Sequence, residues 1–278
     1  MPVTIAQALN DSKQYISDMD ARLLLQHALQ VSSAFIVAHA EDSISSEQLK
    51  QFCLLWERRI KGEPIAYIIG HREFYDLTFK VTPAVLIPRP ETEILVELAL
   101  ARIPIARECK VLDLGTGSGV IAITLAKHRP FANVTAVDLS SEALEIAQIN
   151  AVSLGINNIH FILGNWFQGL SDHYDLIVSN PPYVAIGDPH LDQGDLRFEP
   201  RIALSAPENG TAWIQAIIAH APKFLNVGGY LLLEHGYNQA DKCRQLFAQQ
   251  GNFINIFSYP DLAGILRITG GQRNGLIE

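Results

Sequence analysis

The sequence is poor in the features that mark secreted, metal-bound or membrane-embedded chains. Its three cysteines, Cys53, Cys109 and Cys243, lie far apart with no Cys-x-x-Cys pair, which argues against a disulfide framework or a zinc site. None of the nine histidines stands in His-Glu-x-x-His or another metal spacing, so no metal is expected. No apolar run approaches the ~18 residues of a membrane span, and stretches such as Val120–Ala126 break within about seven. Met1-Pro2-Val3-Thr4 carries neither a basic nor an apolar leader region, so the expected compartment is a reducing cytoplasm. Positive charge is scarce as well. Lys and Arg number 21 against 29 Asp and Glu, a formal charge of −8. That balance disfavours nucleic-acid binding driven by phosphate neutralisation, although a local basic patch is compatible with it.

What remains is globular material: 278 residues, 48% hydrophobic and 18% charged, a little under two average domains. Residues 4–62 are helical in period. Leu23, Leu24, His27 and Ala28 mark one face of a helix over Asp18–Gln30, with Asp18 or Asp20 as N-cap. Ser45 or Ser46 opens a second helix to about Ile60, with Leu49, Phe52, Cys53 and Trp56 inward and Gly62 as its stop. Alternation over 71–82 predicts a hairpin, and prolines 83, 88 and 90 lead into a helix over Glu91–Arg102. The domains are accordingly placed at 1–85 and 86–278. From Lys110 onward strands and helices alternate: strands at 110–114, 133–138, 160–163, 174–179 and 230–234, and helices at 120–127, 142–154, 212–225 and 239–249. Two late strands follow near 253–259 and 265–269. This order predicts an α/β fold with a doubly wound, Rossmann-like parallel sheet, whose ligands sit beyond the carboxyl ends of the strands.

Two motifs fall at such ends. Val111-Leu-Asp-Leu-Gly-Thr-Gly-Ser-Gly119 carries a strand into a glycine turn and a helix. Gly115, Thr116, Gly117, Ser118 and Gly119 let a ligand approach the backbone, while Asp113 before the turn repels a pyrophosphate and suits a cation. S-adenosylmethionine, with its sulfonium and ammonium and no phosphate, meets that description. Asp138 ends the next strand, placed to accept from ribose hydroxyls, a role shared by dinucleotide sites. A plain βα turn, with Ser140 or Ser141 as the true helix cap, is the bland alternative.

The second motif is Asn180-Pro181-Pro182-Tyr183 after the apolar run Asp175–Ser179. Two prolines stiffen φ and remove two donors, fixing the carbonyls of Asn180 and Pro181. A planar nitrogen has a delocalised lone pair and is a poor nucleophile. Acceptors on its N–H bonds, the Asn180 side-chain oxygen and the Pro181 carbonyl, steer that lone pair toward a methyl donor and stabilise developing positive charge. Tyr183 offers a π face to the planar target and to a cationic methyl donor. A rigid turn after a buried strand is the competing reading.

These motifs resemble those of S-adenosylmethionine-dependent methyltransferases that act on planar nitrogens, among them DNA adenine-N6 and protein glutamine-N5 enzymes. Gly70-His-Arg-Glu-Phe-Tyr75, Val85-Leu-Ile-Pro-Arg-Pro-Glu-Thr-Glu93, Gly164-Asn-Trp-Phe167 and Phe198-Glu-Pro-Arg-Ile-Ala-Leu204 then resemble, in order and spacing, the peptide-chain release-factor glutamine methyltransferases. The likeness spans essentially the whole chain. Sister enzymes of a ribosomal large-subunit protein usually read Arg-Ser-Pro where this chain has Arg89-Pro90-Glu91. The resemblance implies methyl transfer to the glutamine of the Gly-Gly-Gln loop of class 1 release factors, by a monomer with a small helical substrate-selecting domain. It implies that Gly115–Gly119 and Asp138 hold the methionine and ribose, that Trp166 flanks the adenine, and that Asn180–Tyr183 hold the target amide. Asn165 replaces the family's usual acid before that tryptophan and keeps hydrogen-bonding capacity toward adenine. The alternatives are a DNA adenine methyltransferase, a ribosomal-protein glutamine methyltransferase, and a binding module that keeps the fold without the reaction.

Other residues are read as structural. Arg72, Glu73, Arg89, Glu91 and Glu93 are expected to form an ion-pair lock, Glu199 and Arg201 to decorate a solvated loop, and Trp56, Trp213 and the cysteines to fill cores.

Overall fold

Thr4, Ser17, Ser32 and Ser45 each precede a helix and accept a hydrogen bond from the third helical N–H. They start α1 (Ile5–Ser12), α2 (Asp18–Leu29), α3 (Ser33–Ala38) and α4 (Ser46–Ile60). Each such cap is worth about 1 kcal/mol. Ser17, rather than Asp18 or Asp20, caps α2, because its extended backbone lets the hydroxyl reach the Asp20 N–H. The buried stripe of α2 is Ala21, Leu24 and Leu25, and Leu23 is instead 38% exposed. A short α5 (Ile65–Ile69) follows Pro64. Phe52, Leu24, Leu25, Ile5 and Ile68 pack into one core.

The computed structural model describes residues 2–275, which fall into two units. The first is the chain up to His71 together with Gln193–Phe198. Within it Arg59 pairs with both Asp20 (2.8 Å) and Asp195 (3.1 Å), and Arg197 donates to the Lys61 carbonyl at 2.7 Å.

The second unit is Arg72–Asp192 with the chain from Glu199 onward. The hairpin of β1 (His71–Phe74) and β2 (Leu77–Lys80) groups with it from Arg72, and α6 (Thr92–Leu100) follows. Then come β3 (Cys109–Leu114), α7 (Val120–His128), β4 (Ala132–Asp138), α8 (Ser141–Ser153), β5 (Ile159–Leu163) and β6 (Tyr174–Ser179). Short pieces β7 (Val184–Ala185), α9 (Arg201–Leu204), β8 (Ser205–Ala206) and α10 (Pro207–Gly210) lead to α11 (Ala212–His220) and β9 (Leu225–Glu234). The chain ends with α12 (Ala240–Gln250), β10 (Phe253–Pro260) and β11 (Leu266–Arg273). Helix α11 stops earlier than the expected 225, since Pro222 turns its last residues into a 3-10 segment over Ala221–Lys223.

The sheet order is β10-β11-β9-β6-β3-β4-β5. It is doubly wound as expected, with one correction to an all-parallel sheet: β11 runs antiparallel to both neighbours. The loop between β10 and β11 is too short for the crossover that a parallel pair demands. Alternation along the strands divides the core in two. Val111, Leu176 and Val178 face α6 and α7, while Leu112, Ile177 and Leu231 face α11 and α12. The central β3 and β6 are buried at five of their six positions, as strands covered on both faces must be.

Candidate functional site

Strand order reverses around β3: β4 lies on one side of it and β6 on the other. Loops leaving the carboxyl ends of these three strands therefore diverge and leave a crevice. The crevice is a cleft with about 980 Å³ of empty space, part of it open solvent. Ser179 at the end of β6 donates to the Leu114 carbonyl at the end of β3 (2.6 Å), so the two motif-bearing loops start from one fixed point.

The glycine loop is shaped by its own N–H groups. Gly115 and Thr116 donate to the Val137 carbonyl at 2.8 and 3.0 Å, and Gly117 donates to Asp138 Oδ2 at 2.8 Å. Donors that would cradle a phosphate in a dinucleotide loop are thus spent on β4. Beneath the loop Asp113 is fully buried, accepts from the Thr116 hydroxyl at 2.7 Å and keeps Oδ1 without a partner among the described residues. Burial pushes its carboxyl up to about 7, Asp138 adds to that rise, and Thr116 and the Ala122 N–H oppose it. Spent donors and two carboxylates make a site for a cationic ligand without phosphate, which S-adenosylmethionine is. At Gly119 (φ +85°), the start of α7, an added Cβ would lie 2.7 Å from Ile123 Cδ1. That glycine is needed for the close entry of α7.

Asp138 accepts from Gly117 through Oδ2 and from the Ser140 N–H through Oδ1 at 2.9 Å. Burial raises its pKa against the pull of the Ser140, Gly117 and Leu139 N–H groups. A carboxylate has about four lone-pair sites, so acceptor capacity is left over for hydroxyl donors. Ser140, not Asp138, caps α8, and the two carboxylate roles do not compete. Gly164 N–H binds the Asp138 carbonyl at 2.9 Å, bringing Asn165 and Trp166 to the same wall. Trp166 holds a left-handed backbone (φ +52°), a strained state for a bulky residue. It faces Gly115, where a Cβ would lie 3.7 Å from the indole, and Trp213, with ring centroids 5.9 Å apart.

Asn180 reaches the cleft from the end of β6, as does Pro182. Its Nδ2 donates to Thr92 Oγ1 at 3.1 Å. Pro181 is buried and Tyr183 packs into the core face, with its hydroxyl 3.4 Å from Glu234 Oε1 and its carbonyl accepting from Gln239. Burial and the Glu234 charge push the Tyr183 phenol up.

Of the residues expected at the site, Gly115, Gly117, Asp138, Asn165, Trp166, Asn180 and Pro182 line the cleft together. Asp113, Thr116, Ser118, Gly119, Pro181 and Tyr183 stand outside that lining, and all but Tyr183 are buried. Three expectations are corrected. Trp213 is a cleft wall rather than core, because α11 begins beside the cleft mouth. Glu199 is buried rather than solvated: it pairs with Arg89 at 2.5 Å and accepts from the Ile87 N–H at 3.0 Å. Among the described residues, the expected lock between Arg72, Glu73, Arg89, Glu91 and Glu93 is likewise replaced, since Arg89 is taken by Glu199 and Glu93 accepts from the Tyr75 N–H. Cys109 and Cys243 are buried with thiols pushed up to about 11 and about 12, mainly by burial, while Cys53 is only half-buried.

Three side chains escaped the sequence reading. Asn150 is buried in α8, accepts from Lys80 N–H (2.7 Å) and donates to the carbonyls of Lys80 and Ser118. Thr92 and Glu234 flank Asn180 and Tyr183. Glu234 was findable, since it ends β9 as Asp138 ends β4.

Comparison with known proteins agrees with this geometry. Residues 90–193 match the family model "Methyltransferase small domain", and 4–70 match "PrmC N-terminal domain". The chain is 48% identical over 254 residues to the release factor glutamine methyltransferase of Escherichia coli (strain K12), covering 91% of each. It is 45% identical to that of Vibrio cholerae, covering 98% of each. Among solved structures it resembles a methyltransferase from Pyrococcus furiosus (TM-score 0.55, 18% identity, 79% of this chain and 98% of that one), a likeness of fold. Sheet, cleft and relatives converge: the chain is a S-adenosylmethionine-dependent methyltransferase and belongs to the release factor glutamine methyltransferase family.

Proposed function

We propose that this chain methylates the side-chain nitrogen (N5) of the glutamine in the Gly-Gly-Gln loop of class 1 release factors, acting as a monomer in the cytoplasm. Residues 1–85 select the protein and residues 86–278 perform the transfer. The observation that carries the reading is Asn180, an amide fixed at the end of β6 and exposed to the same cleft as Gly115 and Asp138. When bound, S-adenosylmethionine supplies an electrophilic methyl on its sulfonium. Asp138 takes the ribose hydroxyls with its remaining lone pairs, Trp166 and Asn165 border the adenine, and Asp113 adds negative charge beneath Gly115–Gly119. Asn180 Oδ1 and the Pro181 carbonyl each hold one N–H of the glutamine amide, turning its lone pair toward the donor. Pro182 and Tyr183 stiffen the turn that carries them. The proton leaves after transfer, so no general base is needed. Glycines beside the target let a narrow loop tip enter without side-chain clash.

A labelled-methyl assay with release factor, its Gln→Ala loop variant and duplex DNA tests this. Label is expected in the unaltered release factor alone, and label in DNA alone would overturn the reading. Asn180→Ala is expected to abolish transfer while leaving cofactor affinity close to wild type; normal transfer by that variant would remove Asn180 from the mechanism.

A further inference from the structure

Behind the Asn180–Tyr183 turn, outside the cleft lining, lies the buried side chain of Gln239. It stands at the cap position of α12, yet it does not cap the helix. Its amide is spent on three backbone groups instead. Oε1 accepts from the Gly236 N–H at 2.9 Å, and Nε2 donates to the Tyr183 carbonyl at 3.0 Å and, at a longer 3.4 Å, to the Asn209 carbonyl. Those partners fix the orientation of the amide, since one is a donor and two are acceptors. Two glycines make the room. A Cβ on Gly236 would lie 3.2 Å from Gln239 Oε1, and one on Gly210 would lie 2.9 Å from Nε2 and 2.1 Å from the Tyr183 oxygen. Gly210 reaches that place through a left-handed run, Glu208 (φ +53°), Asn209 (φ +55°) and Gly210 (φ +85°). Such a run persists only where its surroundings hold it.

We propose that Gln239 is a positioning residue: it clamps the Tyr183 carbonyl and so sets where the Asn180–Tyr183 turn presents its acceptors. The inference rests on the reading that this turn holds the target glutamine amide. Upstream the turn is moored, because Ser179 donates to the Leu114 carbonyl and Asn180 to Thr92. Pro181 and Pro182 have no N–H through which to tie themselves to a neighbour. The mooring on the far side therefore falls to Tyr183, whose carbonyl Gln239 holds. After it comes the two-residue β7, paired with the two-residue β8. The Pro181 carbonyl is thus suspended between two held ends. Loss of one end lets the turn shift, and a shift of about 1 Å in a positioned group can cost about a hundredfold in rate. The clamp needs a side chain that both accepts and donates. A Glu of the same shape has no N–H and, when ionised, sets a carboxylate oxygen against two carbonyls.

The test is steady-state kinetics of the intact chain with S-adenosylmethionine and purified class 1 release factor. Calorimetry of cofactor binding supplies Kd and counts the folded sites, so that kcat is expressed per competent site. Gln239→Glu keeps the shape and removes the donors. Its kcat is expected to fall about ten- to a hundredfold. KM for release factor and cofactor Kd should stay within about threefold of wild type. Gln239→Asn keeps both kinds of group on a side chain too short to bridge Gly236 and Tyr183, and its kcat should fall about tenfold. A residue that served stability alone would lower the melting temperature and the number of competent sites and leave kcat per site unchanged. Wild-type kcat per site in Gln239→Glu, or a loss confined to KM or Kd, overturns the proposal. Should Gln239→Glu not fold, Gln239→Asn decides by the same criteria, and loss of folding in both assigns Gln239 to the fold alone and overturns it. Asn180→Ala separates the two readings: if it keeps the wild-type rate, the turn does not hold the amide and both fall. If it is inactive while Gln239→Glu is normal, only the positioning role fails.

Discussion

The Glu199 side chain is fully buried and lies 2.5 Å from the guanidinium of Arg89, 110 residues earlier in the chain. Its other oxygen receives the Ile87 N–H. Removing one partner of such a pair strands the other, so Arg89→Ala leaves a buried carboxylate and should cost about 3 kcal/mol. Glu199→Gln keeps an acceptor for Ile87 and leaves an Arg89 that is 28% exposed, so its cost should be smaller. Urea denaturation of the two variants checks the order.

Asn150 joins the end of the hairpin to the glycine loop through three hydrogen bonds. Asn150→Ala orphans a donor and acceptors in a dry place and should destabilise the fold by about 3 kcal/mol. The freed Ser118 carbonyl should also loosen the loop and weaken cofactor binding. Denaturation and calorimetry measure the two effects independently.

Two glycines should respond differently to alanine. Gly210 (φ +85°) leaves no room for a Cβ, which would sit 2.1 Å from the Tyr183 carbonyl oxygen; Gly117 (φ +57°) has nothing within 4 Å. Gly210→Ala must therefore push the tetrapeptide backbone, costing about 2 kcal/mol or more and lowering kcat. Gly117→Ala should cost only about 1 kcal/mol, the left-handed penalty, and act chiefly on cofactor affinity because Gly117 lines the cleft. Melting temperatures and cofactor titrations distinguish them.

Asp113 shapes the pH dependence of stability. Its folded pKa, about 7, lies above the ordinary carboxylate value of 3.8, so between those values the folded state holds more protons than the unfolded one. Stability is therefore greatest toward the acid end of that window and falls as pH rises through about 7. Asp113→Asn should flatten this slope and raise stability at pH 8, while weakening cofactor binding through loss of charge. Urea midpoints at pH 5.5 and 8 provide the check.

The glycine loop, Asp138 and the Asn180–Tyr183 turn were legible because each is written in consecutive residues at a strand end. The reversed β11 was not, since period-2 alternation carries no direction. Glu199 and Thr92 were hidden for a different reason: their partners lie 110 and 88 residues away, and an isolated charge in a Pro-flanked loop reads as solvated. Trp213 shares its helical spacing with core residues, and only the position of α11 beside the cleft distinguishes it. Local chemistry could be read, whereas contacts that the fold creates could not.

The donors spent by Gly115, Thr116 and Gly117 have a consequence for molecular discrimination. Adenosine triphosphate shares the adenine and ribose of the methyl donor, and it is abundant wherever proteins are made. The proposed recognition of the shared nucleoside by Asp138 and Trp166 would not tell the two apart. A loop whose Gly115, Thr116 and Gly117 N–H groups are already committed to β4, set above the buried Asp113, withholds those donors from a triphosphate. On the proposed binding mode, selectivity would come from donors withheld, the hydrogen bonds that shape the loop also disfavouring the wrong nucleotide.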